Sequence, residues 1–207
     1  MQIAEIFESI HGEVNGHHQG RICTFIRTSG CNLQCPYCDT PETQETNHNF
    51  EMALVDIFGK VDKLGNHYVC VTGGEPLIQK NIIELLSVLW GWGFKLSIET
   101  NGTIDITPYF RYVESFVIDY KLHAPDMMLP SNYNMLRKTD VIKFVIGSIE
   151  DFYKANEIVN LIDTKAIIAF SALQPDMPHI TLAELLLKYK IKNALLSVQL
   201  HKLINMP

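Results

Sequence analysis

The chain has 207 residues, 47% of them hydrophobic and 19% charged, with a net charge of −6. That composition fits a single globular domain over 1–207 with a sizeable core and excludes disordered, collagen-like and coiled-coil chains. No apolar run of about 18 residues is present to span a bilayer, and the acidic balance predicts no broad grip on nucleic acid. In chain order, segment 2–9 is expected as an edge strand. Short β-branched or aromatic runs follow at 21–27, 67–72, 94–99, 115–119, 141–146, 165–170 and 194–199. Helical spacing marks 50–61, 81–90, 149–162 and 181–189. In the last, Leu182, Leu185, Leu186 and Tyr189 share a face, and Thr181 with Glu184 forms a capping box.

Strands alternating with helices imply βαβ units and a parallel sheet. Two connections, 101–114 with Gly102 and Pro108 and 121–140 with Pro125 and Pro130, are too irregular for a full helix. The expected fold is α/β: a partial (β/α) barrel of about six to seven mostly parallel strands with some helices missing. In such barrels the chemistry sits at the C-terminal ends of the strands. The reactive residues of this chain follow its strands.

Five cysteines stand at 23, 31, 35, 38 and 70. An odd count behind Met1-Gln2-Ile3-Ala4-Glu5, which is no basic-then-apolar leader, predicts a reducing, cytoplasmic setting and no disulfide framework. Cys31-Asn-Leu-Gln-Cys35-Pro-Tyr-Cys38 lets one loop present three thiolates to one centre. An iron–sulfur cluster with three protein ligands would leave one iron open. Zinc would need a fourth ligand such as His48, and a second Cys-x-x-Cys pair is missing. Thiol–disulfide exchange at Cys35 and Cys38 would leave Cys31 idle. Cys23 and Cys70 lie inside apolar strands and read as small hydrophobes.

The cysteine run together with Thr72-Gly73-Gly74-Glu75-Pro76 resembles the radical S-adenosylmethionine (SAM) enzymes. The resemblance implies a [4Fe-4S] cluster on Cys31, Cys35 and Cys38 whose open iron chelates the amino and carboxylate groups of SAM. Gly74 would let the backbone approach the methionyl part, and Glu75 would meet its ammonium. Tyr37 stands where an aromatic contacts adenine, beside Asp39. Further runs narrow the resemblance to the 7-carboxy-7-deazaguanine synthase family. They are Glu5 through Ile10-His11-Gly12-Glu13, Phe25-Ile-Arg27-Thr-Ser-Gly30, Cys38-Asp39-Thr40, Ile98-Glu99-Thr100-Asn101-Gly102 and Ser197-Val-Gln-Leu-His201-Lys202.

That family converts 6-carboxy-5,6,7,8-tetrahydropterin into 7-carboxy-7-deazaguanine with loss of ammonia, a step toward queuosine and other deazapurines. The resemblance implies a SAM-derived radical, rather than a side chain, as the hydrogen abstractor. It also implies regenerated SAM, Mg²⁺ on Thr40, a homodimer, and a one-electron donor such as flavodoxin or ferredoxin. A lone hydroxyl suits a cation that keeps water and substrate oxygens; the alternative for Thr40 is a helix cap. For the substrate, Arg27 offers a fork to the carboxylate. Glu13 and the terminal carboxylate of Pro207 offer acceptors to the pterin edge. Ile10, His11, Gly12, Thr72 and His201 complete the expected pocket. His11 and Val14 stand where the family carries glutamine and glycine.

On the SAM side, Asp119-Tyr-Lys121 stands where Ser-Pro-Lys is usual, with Asp119 facing ribose. Ser171, Gln174 and Pro175 would present backbone to adenine, and Glu99 would lie near either ligand or serve a structural network. Two other readings compete. A glycyl-radical activating enzyme would share Asp-x-Lys but not the N-terminal Gly-Glu or the terminal Gln-Leu-His-Lys. A zinc or thiol redox module would be colourless when purified.

Overall fold

The computed structural model describes residues 1–46, 50–124 and 127–206. The strands are β1 (Gln2–Ile10), β2 (Ile22–Thr28), β3 (Phe50–Glu51), β4 (Tyr68–Gly73), β5 (Lys95–Thr100), β6 (Ser115–Tyr120), β7 (Val141–Ile146), β8 (Ile167–Ala172) and β9 (Ala194–Ser197). They form one sheet in the order β3-β1-β2-β4-β5-β6-β7-β8-β9. From β2 onward every neighbouring pair is parallel, while β1 runs antiparallel to β2 and to β3. The sheet ends at β3 and β9, so the barrel is open, with seven parallel strands as expected.

The parallel strands are nearly continuous apolar runs because helices cover one face and the barrel interior the other. The helices are α1 (Leu54–Leu64), α2 (Ile82–Gly91), α3 (Ile149–Leu161), α4 (His179–Tyr189) and the short α5 (Leu200–Ile204). Between β5 and β6, and again between β6 and β7, the described connections hold only 3-10 turns, at Thr107–Tyr109 and Pro130–Met135, each with a proline in its first two residues. Those are the two expected missing helices. Tyr133, wholly buried, packs its ring 5.9 Å from that of Tyr120 where a helix would otherwise lie.

Three local expectations differ. The first strand, expected at the sheet edge, carries β3 on its outer side. The segment at 50–61 begins as β3, pairing with Gln2 and Ile3, and turns helical only at Leu54. α4 starts at His179 behind Pro178, whose φ of −63° suits an N-cap, so Thr181 falls inside the first turn and the capping box does not form. A hydroxyl cap does form on α3, where Ser148 accepts from the Asp151 amide at 3.0 Å.

The connection from β1 to β2 plugs the barrel. Val14 is 4% exposed and packs with Val117, Val141 and Ala169 from β6, β7 and β8. Its side chain fills the barrel interior.

Candidate active site

The C-terminal ends of the parallel strands surround a cavity of about 470 Å³. Each strand contributes residues at or near its end. They are Arg27 on β2, Thr72 to Gly74 at β4, Glu99 to Asn101 at β5, Asp119 and Lys121 at β6, Ser171 and Gln174 at β8, and Gln199, His201, Lys202 and Leu203 beyond β9, while Lys143 reaches it from the middle of β7. Ile10 at the end of β1, with Gly12 and Glu13 of the β1–β2 connection, reaches the same space, and the cysteine loop closes it.

Cys31, Cys35 and Cys38 are free, half-buried and line this cavity. Backbone N–H of Leu33 lies 3.4 Å and the Asn101 amide 3.8 Å from Cys31 Sγ, donors of the kind that hold a ligating sulfur. Burial pushes the Cys31 and Cys35 thiols up. Among the described residues, the one trio of ligating atoms mutually within 4.8 Å is His11, Cys70 and Glu99. His48 lies outside the described residues. Cys23 and Cys70 are wholly buried, and burial drives both thiols up.

The turn after β4 is clamped to the cysteine loop. Gly74 N–H donates to Thr28 O at 3.0 Å and Glu75 N–H to Gly30 O at 2.9 Å. A Cβ on Gly74 would stand 2.3 Å from Gly30 O, so only glycine fits. Glu75 itself turns inward. Its oxygens accept from Leu77 N–H at 3.0 Å, Thr100 Oγ1 at 2.8 Å and Asn101 N–H at 2.7 Å. Burial pushes its carboxyl up to about 7 despite those bonds. Glu75 is therefore a strut beneath the cavity and does not line it.

His11 also stands behind the wall. It is wholly buried, its Nδ1 3.3 Å from Glu13 O and its Nε2 3.8 Å from Glu99 Oε1. Glu99 accepts from Thr72 Oγ1 at 2.9 Å, and both line the cavity. Pro175 is exposed and does not line it, whereas Ser171 and Gln174 do. Arg27 pairs with Glu5 at 2.7 Å and lies over the Phe7 ring. Thr40 opens the 3-10 turn Pro41–Thr43 without making a capping bond, and its hydroxyl stands 3.3 Å from that of Thr43 on the cavity side. Asp39 pairs with Lys202 at 3.3 Å.

A second close approach joins the chain ends. Leu200 N–H donates to Gly12 O at 3.0 Å, and a Cβ on Gly12 would meet His201 Nδ1 at 2.1 Å. Burial lowers the His201 imidazole below its ordinary range. α5 thus lays His201, Lys202 and Leu203 on the cavity. Pro207 lies outside the described residues.

The charged wall holds a residue that was not singled out in the sequence. Lys143 Nζ stands 3.1 Å from Glu13 Oε1 and 3.3 Å from Asp119 Oδ2. Lys121 Nζ is 2.9 Å from the same Asp119 oxygen and 5.3 Å from the Tyr37 ring centre. Burial pushes the Tyr37 phenol up to about 12. Burial also works against the Asp119 charge, but Lys121 and Lys143 outweigh it and hold the carboxyl below its ordinary range. A signal for Lys143 was available: one lysine inside the run Val141-Ile-Lys-Phe-Val-Ile146 must have a partner to be buried.

The sequence model of the Radical SAM superfamily matches residues 25–156. The 7-carboxy-7-deazaguanine synthase of Clostridium acetobutylicum is 36% identical over 98% of this chain and 95% of its own length. The chain belongs to the 7-carboxy-7-deazaguanine synthase family. A second member, from Methanospirillum hungatei JF-1, is 37% identical over 100% of this chain and 86% of its own. The crystal structure of QueE from Escherichia coli has a similar fold, with a TM-score of 0.78 over 97% of this chain and 94% of that one, at 23% identity. Membership of the radical SAM superfamily implies a [4Fe-4S] cluster and SAM.

Proposed function

We propose that this chain converts 6-carboxy-5,6,7,8-tetrahydropterin into 7-carboxy-7-deazaguanine with loss of ammonia, as a magnesium-dependent lyase in a deazapurine pathway. One observation carries the reading: three free cysteines, the Gly73-Gly74 backbone and the Glu13–Asp119 wall face a single cavity. When bound, the cluster and SAM would supply the radical chemistry that abstracts hydrogen from carbon six.

The chain's own residues bind, orient and exclude water. Cys31, Cys35 and Cys38 hold the cluster, with Leu33 N–H and Asn101 steadying one sulfur. Gly74 seats the methionyl part of SAM, Tyr37 and Lys121 flank its adenine, and Asp119 accepts from ribose. Glu99, Ser171 and Gln174 border the two ligands, with Asp39 at the rim. Arg27 pairs with the substrate carboxylate, and Thr40 would hold Mg²⁺ through its hydroxyl. Glu13, held on the cavity wall by Lys143, accepts from the guanidine-like edge of the pterin. Thr72, Gly12, Ile10 and His201 shape that end, and the terminal carboxylate of Pro207 is a second acceptor there. His11 acts from behind, orienting Glu99.

Electrons would come one at a time from a flavodoxin- or ferredoxin-type donor, and the working form is a cytoplasmic homodimer. The test is anaerobic. Purified protein should be brown, and with reductant, SAM, Mg²⁺ and carboxytetrahydropterin it should form product without net SAM loss. A colourless, zinc-containing protein that forms no product contradicts the reading. A glycyl radical raised on a partner protein would favour an activase.

A further inference from the structure

Lys143 occupies the centre of β7, an otherwise apolar strand, and its side chain is 8% exposed. An ammonium buried this deeply stays charged only if its N–H groups meet anions. It meets two. Glu13 Oε1 at 3.1 Å comes from the β1–β2 connection, and Asp119 Oδ2 at 3.3 Å comes from the end of β6. Neither strand β1 nor β2 neighbours β7, so the lysine bridges the open barrel from one side to the other.

Each carboxylate is held by a second group on the same oxygen. The Gln199 amide donates to Glu13 Oε1, and Lys121 Nζ lies 2.9 Å from Asp119 Oδ2. That arrangement leaves the other oxygen of each, Glu13 Oε2 and Asp119 Oδ1, buried and without a hydrogen-bond partner. Both residues line the cavity. Their side chains keep 10% and 20% exposure, so one cation fixes two carboxylates that still border the cavity.

We infer that Lys143 is a positioning residue that couples the two ligand sites: it holds Glu13 for the N–H edge of the pterin and Asp119 for a hydroxyl of SAM. This rests on the function proposed above. A lysine that served only the stability of the fold would lower the melting temperature and leave the two affinities independent. A lysine that touched only the substrate carboxylate would affect the pterin alone.

The experiment uses the full chain with reconstituted cluster. Wild type, K143M, E13Q, D119N, E13Q/K143M and D119N/K143M are compared. SAM affinity is read from the change SAM makes in the electron paramagnetic resonance spectrum of the reduced cluster, and pterin KM from product formation. K143M should raise both the SAM Kd and the pterin KM at least about tenfold, with a smaller effect on kcat. In the D119N background, adding K143M should change the SAM Kd by less than about twofold. In the E13Q background it should change the pterin KM equally little. If K143M folds poorly, E13Q/K143M, which keeps the buried charges balanced, still reports the SAM side and should show the raised Kd. Affinities within twofold of wild type in K143M, loss on one side only, or full additivity in the double variants overturns the coupling. A wild-type enzyme that neither binds SAM nor forms product overturns the proposed function, and the inference falls with it.

Discussion

Cys23 and Cys70 carry the same thiol as Cys31, Cys35 and Cys38, yet burial makes them different residues. The first two are wholly enclosed in strands, and the last three open onto the cavity. Cys31→Ala, Cys35→Ala and Cys38→Ala should each abolish the visible absorption of the cluster and all turnover. Cys23→Ala and Cys70→Ala should keep the cluster and lose about 1 kcal/mol of stability. Iron content and a melting curve separate the two groups, and a fully active loop variant would contradict the assignment. Thr40→Val should raise the Mg²⁺ concentration for half-activity several-fold while leaving iron content unchanged, because valine keeps the shape and removes the oxygen. An unchanged Mg²⁺ titration would release Thr40 from that role. Cysteine spacing is legible in a sequence because one loop of eight residues carries it. The roles of Glu75 and Lys143 are not, because they depend on which way a side chain turns at a strand end. Glu75 turns into a nest of three donors, and Lys143 turns toward two carboxylates distant in sequence.

Single connections decide how elements respond to pH. In the β1–β2 connection His18 is wholly buried, its ring 4.8 Å from Tyr68 and its Nε2 3.6 Å from Glu114. Burial and neighbouring His11 hold its imidazole down at about 4, against the opposing pull of Glu114. The unfolded chain takes up that proton near pH 6.5, so His18 removes stability as pH falls from 6.5 toward 4, at roughly 1.4 kcal/mol per pH unit. Glu75 has the opposite sign. Its folded carboxyl sits near 7, above the unfolded value of 4.5, so it adds stability as pH falls through the same window. The two nearly cancel in the wild type. In cluster-free protein, His18→Gln should therefore melt higher at pH 5 than at pH 6.5, and Glu75→Gln should do the reverse. Equal melting-pH slopes in both variants would refute the opposed titrations. At the same scale, Phe152 anchors α3 with 0% exposure, its ring 5.8 Å from Phe170. Phe152→Ala should cost about 3–5 kcal/mol in denaturant unfolding.

Across the whole molecule, seven parallel strands direct their C-terminal ends at one cavity, and this order follows from alternating strand and helix runs in the sequence. The two helix gaps were legible because Pro108 and Pro130 break the pattern. The plug by Val14 was not, since nothing local tells a loop residue that it will fill a barrel. That plug brings Glu13 beside Lys143 and so ties the N-terminal segment to the centre of the site. The central claim is that this cavity would hold SAM and the pterin together, with carbon six of the pterin within reach of the adenosyl group. The most direct test supplies carboxytetrahydropterin deuterated at carbon six and analyses the recovered SAM by mass spectrometry. The account predicts deuterium in the adenosyl group of SAM, rising with product. Product formed while recovered SAM stays unlabelled would contradict it.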